Sequence, residues 1–123
     1  MATDQAGEKL VRDRIPEIIR SGGRVPDVRT ASAEEYAGLL RAKLREEVDE
    51  YLADGDPAEL ADVLEVLHAL AAWHGMAPAE LEAARAAKAG ERGGFGGRVV
   101  LRGQGGGLSG SFAAGPGGAG SGG

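Results

Sequence analysis

Glu46-Glu47-Val48-Asp49-Glu50 and, beyond Gly55, Glu59-Leu60-Ala61-Asp62 are the residues of this chain best spaced to do chemistry. A step of three residues puts Glu47 and Glu50 on one face of a helix, and Glu59 and Asp62 on one face of the next. On a helical wheel these carboxylates fall inside apolar stripes, made by Tyr36, Leu40, Leu44 and Tyr51 in one helix and by Val66, Ala69, Leu70 and Trp73 in the other. With the chain folded back at Gly55, residues whose numbers share a sum stand at one height, so Glu50 meets Glu59 and Glu47 meets Asp62. The result is two rungs of like charge, about 4.5 Å apart at 1.5 Å per residue. Four such charges in a partly dry setting repel one another and are driven toward protonation. A hard divalent cation removes the conflict: Mg²⁺, with Mn²⁺ as a substitute, takes carboxylate oxygens and keeps positions for water and substrate phosphates. A single glutamate on a helix is ordinary. A matched inward-facing set without a partner is expensive. Glu46 stands beside the stripe, where it holds a second cation or a water, or is solvated. Glu65, one turn beyond Asp62 and near Lys43, reads as half of a structural ion pair.

Carboxylate-bound Mg²⁺ with cations nearby is the apparatus of phosphate chemistry, where charge neutralisation and positioning do most of the work. Arg85, Lys88 and Arg92 share one side of a third helix, either to meet phosphates or to complement the negative end of its dipole. Lys9, Arg12 and Asp13 form a charged cluster before the first helix that serves a substrate or merely pairs. Lys43 lies among the carboxylates. Trp73, on the face of Asp62, either stacks on a base or packs in the core. His68 and His74 have no partner at ligand spacing and read as non-catalytic. No G-x-S-x-G elbow or P-loop is present. Gly93-Gly94-Phe95-Gly96-Gly97 lacks the strand, Lys and Ser/Thr of a phosphate cradle.

The elements that must hold these residues are helices. Ser32-Ala33-Glu34-Glu35 is a capping box opening a long helix that should run to about Asp54. Gly55-Asp56-Pro57 is a tight turn with Asp56 as N-cap, and the second long helix continues to His74 before Gly75. Pro78 opens a third, ending near Ala89. Earlier, Pro16 suits the first turn of a short helix that Gly22-Gly23 stop. Residues 24–30 and 98–102 are the two β-branched runs, expected as a short two-stranded element with Pro26 confining its strand to an edge. The fold class is therefore mainly α: a helical hairpin with a third helix laid against it. The second long helix is apolar on two sides, with Leu60, Leu64, Leu67 and Ala71 opposite the first stripe. So small a chain covers one side alone, which predicts a homodimer or larger homo-oligomer completing a bundle.

The 123 residues leave room for one core. Residues 103–123 hold 11 of the 22 glycines and no charge, and are expected to be a disordered tail; residues 1–8 read as a loose leader, leaving 9–102 as the domain. A net charge of −5 and a pI of about 5.0 argue against a nucleic acid partner. The absence of cysteine excludes disulfides, zinc–thiolate sites and thiol nucleophiles. No apolar run approaches a membrane span and no signal sequence is visible, so a cytoplasmic protein without membrane contact is expected.

The order of these blocks resembles a known superfamily. The pattern EExxE followed by ExxD is that of the all-α nucleoside triphosphate pyrophosphohydrolases, the MazG-like and phosphoribosyl-ATP-pyrophosphatase-like proteins. KLVRDRIPEII at 9–19, EEY at 34–36, KLREEVDEYL at 43–52, ELADVLEVLHAL at 59–70, HG at 74–75 and ERGGF at 91–95 are similar to one small branch, described as house-cleaning pyrophosphatases for noncanonical nucleotides. The resemblance covers about residues 8–102. It implies Mg²⁺-dependent cleavage between the α and β phosphates of a nucleotide, giving a nucleoside monophosphate and pyrophosphate. Carried over, Glu47, Glu50, Glu59 and Asp62 would be the metal ligands, with Glu46, Glu47 and Glu50 catalytic. Glu46 would assist a second cation or orient the attacking water. Lys9, Arg12, Lys43, Lys88 and Arg92 would meet the substrate, on matching blocks without an explicit motif role. One departure is that only eight residues separate Glu50 from Glu59, fewer than in typical MazG-like proteins, so base recognition does not transfer from longer relatives. The rivals are a phosphoribosyl-ATP pyrophosphatase of histidine synthesis, which shares the metal motif, and a non-catalytic metal-binding helical dimer.

Overall fold

The computed structural model of the chain describes residues 7–103. Most of the expected leader at 1–8, and all but Gly103 of the expected tail at 103–123, lie outside them. The chain is mainly helical: α1 is Ile15–Ser21, α2 Ala33–Asp54, α3 Ala58–Trp73 and α4 Pro78–Arg92. It divides after Ala77 into two units, the first holding α1 to α3 and the second holding α4.

Local chemistry accounts for each boundary in the first unit. Pro16 sits in the opening turn of α1, and the amide of Gly22 returns to the carbonyls of Ile18 and Ile19. At α2 the capping box forms: the Glu35 amide donates to Ser32 Oγ at 3.2 Å, and the Ser32 amide donates to Glu35 Oε2 at 3.0 Å. Gly55 ends α2 in the left-handed region, φ 69°, where a side chain would be strained, and its amide donates to the Tyr51 carbonyl at 2.7 Å. Pro57 already has helical angles, and Asp56 Oδ1 accepts from the Ala58 amide at 3.0 Å, so Asp56 caps α3.

Helices α2 and α3 pack on each other as the expected hairpin. Their shared core is spare: Ala37 and Leu40 from α2, Val66 and Ala71 from α3. On the far side of α3, Leu60 and Leu64 each remain 49% exposed and Leu67 37%. Three members of the second apolar stripe read from the sequence are therefore uncovered in the single chain, while the fourth, Ala71, is buried.

Two expectations are corrected. Neither residues 24–30 nor 98–102 form a strand among the described residues. Pro26 removes a ladder donor, and Val25 and Val99 are 93% and 90% exposed, so neither run has an apolar face to bury. In the second unit, α4 runs past Ala89 to Arg92 and stops at Gly93, φ 83°, whose amide donates to the Ala89 carbonyl. Gly90, tolerated inside a helix, was not the stop that its sequence neighbours suggested. Among the described residues no helix is long and apolar enough to cross a membrane.

So thin a core makes each member matter. Leu40, 2% exposed, should cost about 2–5 kcal/mol when cut to Ala, whereas Ser32→Ala should cost about 1 kcal/mol through loss of the cap; urea unfolding followed by circular dichroism measures both.

Candidate metal centre and flanking groove

Glu47 is the charged side chain that the hairpin buries, at 8% exposure. Its counter-ion lies one turn earlier on α2. Lys43 Nζ stands 3.2 Å from Glu47 Oε2 and 3.4 Å from Glu46 Oε1, with only 16% of the Lys43 side chain exposed. Lys43 is thus a shared cation between two candidate carboxylates, and Glu46 takes a second one from Lys9, Nζ to Oε2 at 3.2 Å. Across the hairpin, Asp62 Oδ1 accepts from Arg12 Nη2 at 2.7 Å. The Glu47–Asp62 rung therefore carries a cation at each end. Ion pairs as exposed as those of Lys9 and Arg12 contribute about 0–1 kcal/mol each.

Among the described residues the Glu50–Glu59 rung carries no ion pair, although Lys43 and Lys9 act on Glu50 from a distance. Repulsion from Glu47, then burial, then repulsion from Glu46 lift the Glu50 carboxyl above its ordinary range. Burial is the largest cause of the shift at Glu59, followed by hydrogen bonding with and repulsion from Asp54, then repulsion from Asp56 and Glu50, and its carboxyl is pushed up to about 7. Glu59 Oε1 is buried without a hydrogen-bond partner. An orphaned carboxylate oxygen among carboxylates is what a hard cation relieves, and the donor set here is all oxygen, as Mg²⁺ prefers. The residues present fit the cation. Among the described residues no three acidic or histidine side chains converge on one point; Asp62 pairs with Arg12 and Glu47 with Lys43.

Beside Glu46 and Lys43 opens a groove of about 870 Å³. Lys9, Arg29, Arg41 and Lys43 line it together with Glu8, Glu34, Glu35 and Glu46, so its charges balance, while Leu10, Leu39 and Trp73 give it apolar wall. Trp73 is half-exposed and meets the His74 ring edge-on at 4.9 Å. His68 is half-buried and His74 exposed. Lys88 and Arg92 lie on α4 of the second unit, where Lys88 is exposed; Arg85 is held by Glu82 at 2.7 Å.

Arg29 escaped the sequence reading, which placed it in an edge strand. It bonds Glu35 through Nη1 at 3.0 Å and Glu8 through Nη2 at 3.1 Å, joining the start of the chain to the first turn of α2. These bonds, with the Ser32 amide, hold the Glu35 carboxyl down at about 2, and Arg29 likewise lowers Glu8. The one available signal was the double duty of Glu35 in the capping box.

The raised Glu59 carboxyl fixes the sign of a pH effect. Between pH 4.5 and 7 the folded chain keeps a proton there that the unfolded chain has released, so this group lowers stability as pH rises through that window. Glu59→Gln should therefore raise the melting temperature of the metal-free chain at pH 8, and the gain should vanish near pH 4. Thermal melts of both chains across that range check it.

No family model and no solved structure matches the chain. A segment of 45 residues is 60% identical to part of an uncharacterized protein of Mycolicibacterium smegmatis (strain ATCC 700084 / mc(2)155), covering 37% of this chain and 46% of that protein. The match thus spans less than half the length of that relative.

Proposed function

We propose that this chain is a Mg²⁺-dependent nucleoside triphosphate pyrophosphohydrolase, cleaving between the α and β phosphates of noncanonical nucleotides to give a nucleoside monophosphate and pyrophosphate. The observation that carries the reading is the orphaned Glu59 Oε1 beside Glu50, on the rung that lacks a side-chain cation. The block order that resembles the all-α pyrophosphohydrolases points the same way.

Glu47, Glu50, Glu59 and Asp62 would hold the cation, and a second would fall to Glu46. When bound, Mg²⁺ would supply charge neutralisation for the phosphates and acidify a water. Glu46, paired with Lys9 and Lys43 at 3.2 and 3.4 Å, would either assist that second cation or orient the water. Lys9, Arg12 and Lys43 are the cations nearest to receive phosphate oxygens, and Lys88 and Arg92 are further candidates. Trp73, with Leu10 and Leu39, gives the groove a surface on which a base can stack. Cleavage then joins the water oxygen to one phosphorus while the bridging oxygen leaves with the other. Phosphoribosyl-ATP, with the same scissile bond, is the rival substrate.

The active form is a homodimer or larger assembly, with Leu60, Leu64 and Leu67 of α3 as the contact. These side chains are uncovered, and a core of four small or medium side chains is meagre for a stable monomer.

Pyrophosphate release should require Mg²⁺ or Mn²⁺ and should favour one member of a panel of ordinary, damaged and phosphoribosylated nucleotides. Glu50→Gln and Asp62→Asn should each lower the rate by about 10²-fold or more; full activity in both removes these residues from the mechanism. Sedimentation should show wild-type chain as dimer or larger and Leu64→Glu as monomer, with lowered melting temperature.

A further inference from the structure

We propose that residues 9–14 form a cationic strap that occupies the carboxylates in place of the divalent cation and is exchanged for it. The proposal rests on the reading of Glu47, Glu50, Glu59 and Asp62 as a metal centre, with Glu46 holding a second cation. Lys9 and Arg12 both precede α1, yet they reach different helices: Lys9 bonds Glu46 of α2 at 3.2 Å and Arg12 bonds Asp62 of α3 at 2.7 Å. The partners stand 37 and 50 positions away, whereas Arg14, Lys43 and Arg85 take acids three or four residues off on their own stretch of chain. The strap is tied at both ends. Arg29 clamps Glu8 to Glu35 of α2, and beyond Arg12, whose carbonyl accepts from the Ile15 amide, α1 begins.

Between those ties the two bonds are built to be given up. The side chains of Lys9 and Arg12 are 60% and 55% exposed, so water competes for both. Arg12 takes Asp62 Oδ1, an oxygen of a carboxylate that the cation needs, and two positive groups on one carboxylate repel. A divalent cation meeting several carboxylates at once outbids a lone exposed guanidinium. The freed Lys9, which lines the groove, and Arg12, three residues on, then take phosphate oxygens as partners in place of the lost carboxylates. The same two side chains thus neutralise the acids before the cation arrives and the substrate afterwards, which orders cation before nucleotide.

The test uses the full chain and MgCl₂ alone, against NaCl of equal ionic strength. The side-chain ¹⁵N resonances of Lys9 and Arg12 should shift with Mg²⁺ and saturate, while that of Arg14 does not follow, and NaCl should have no such effect. By calorimetry Arg12→Gln should bind Mg²⁺ about two- to fivefold more tightly than wild type, with Lys9→Gln as a second variant if the first folds poorly. Arg14→Gln, which loses a local pair to Glu17, should bind as wild type does. Mg²⁺ uptake with unaltered Lys9 and Arg12 side-chain resonances, or with no gain in either strap variant, overturns the strap and leaves the metal centre standing. No Mg²⁺ uptake by the wild-type chain overturns the metal centre and the strap together.

Discussion

A carboxylate turned into the seam between two helices must find a positive partner or surrender its charge, and the hairpin of α2 and α3 is organised around that demand. It is met in three ways within a few turns. Glu47 draws on Lys43, one turn earlier in the same helix and nearly as buried. Asp62 draws on Arg12, which arrives from outside the hairpin. Among the described residues Glu59 is bonded to no cation, and its carboxyl is pushed up to about 7 with one oxygen left without a partner. The first solution is built into one helix and cannot leave. The second depends on how the chain before α1 is tied down, which gives the Arg29 bridge between Glu8 and Glu35 its purpose.

The same hairpin is short of apolar material. Its core consists of Ala37, Leu40, Val66 and Ala71, while three leucines on α3 face away from it. Apolar area and inward charge compete for the same seam: every position on the shared face given to a carboxylate is one not given to a leucine. A second copy resting on Leu60, Leu64 and Leu67 would restore the missing burial without touching the charged side. The connection between the carboxylate pairs is equally tight. Within the eight residues between Glu50 and Glu59, α2 must end, the chain must reverse and α3 must begin. The left-handed Gly55 and the Asp56 cap make that reversal fit.

What the sequence made legible follows from range. Helix ends are set by contacts over three or four residues, so Ser32, Gly55, Asp56 and Gly75 announced them correctly. The height of Glu50 against Glu59 follows from helix rise and a fixed turn, and the two do act on each other. The partner of Asp62 was not legible, because no spacing rule links Arg12 to a residue fifty positions on. Arg29 was hidden for the same reason. The β-branched runs misled because branching reports a preference for a half-buried pleated surface, and here nothing stands over them. Gly90 misled in the opposite sense, since one glycine only weakens a helix and a left-handed residue is needed to stop it.

The placement of negative charge at the turn argues that the hairpin is shaped by more than stability. The C-terminal end of a helix favours cations, yet the last turn of α2 carries Asp54 and no basic residue. Asp56 and Glu59 follow at once on the other side of Gly55, and Glu50 lies one turn below, so four acids crowd the end where the dipole of α2 is already negative. A sequence selected for folding alone would put a lysine there, as it does at Lys43 beside Glu47. Among the described residues Glu47 and Asp62 are paired with cations from the chain, and Glu50 and Glu59 are bonded to none. A local choice that opposes its own helix is expected where a site needs a charge from elsewhere, and Asp54, in a last turn without a basic residue, is such a choice.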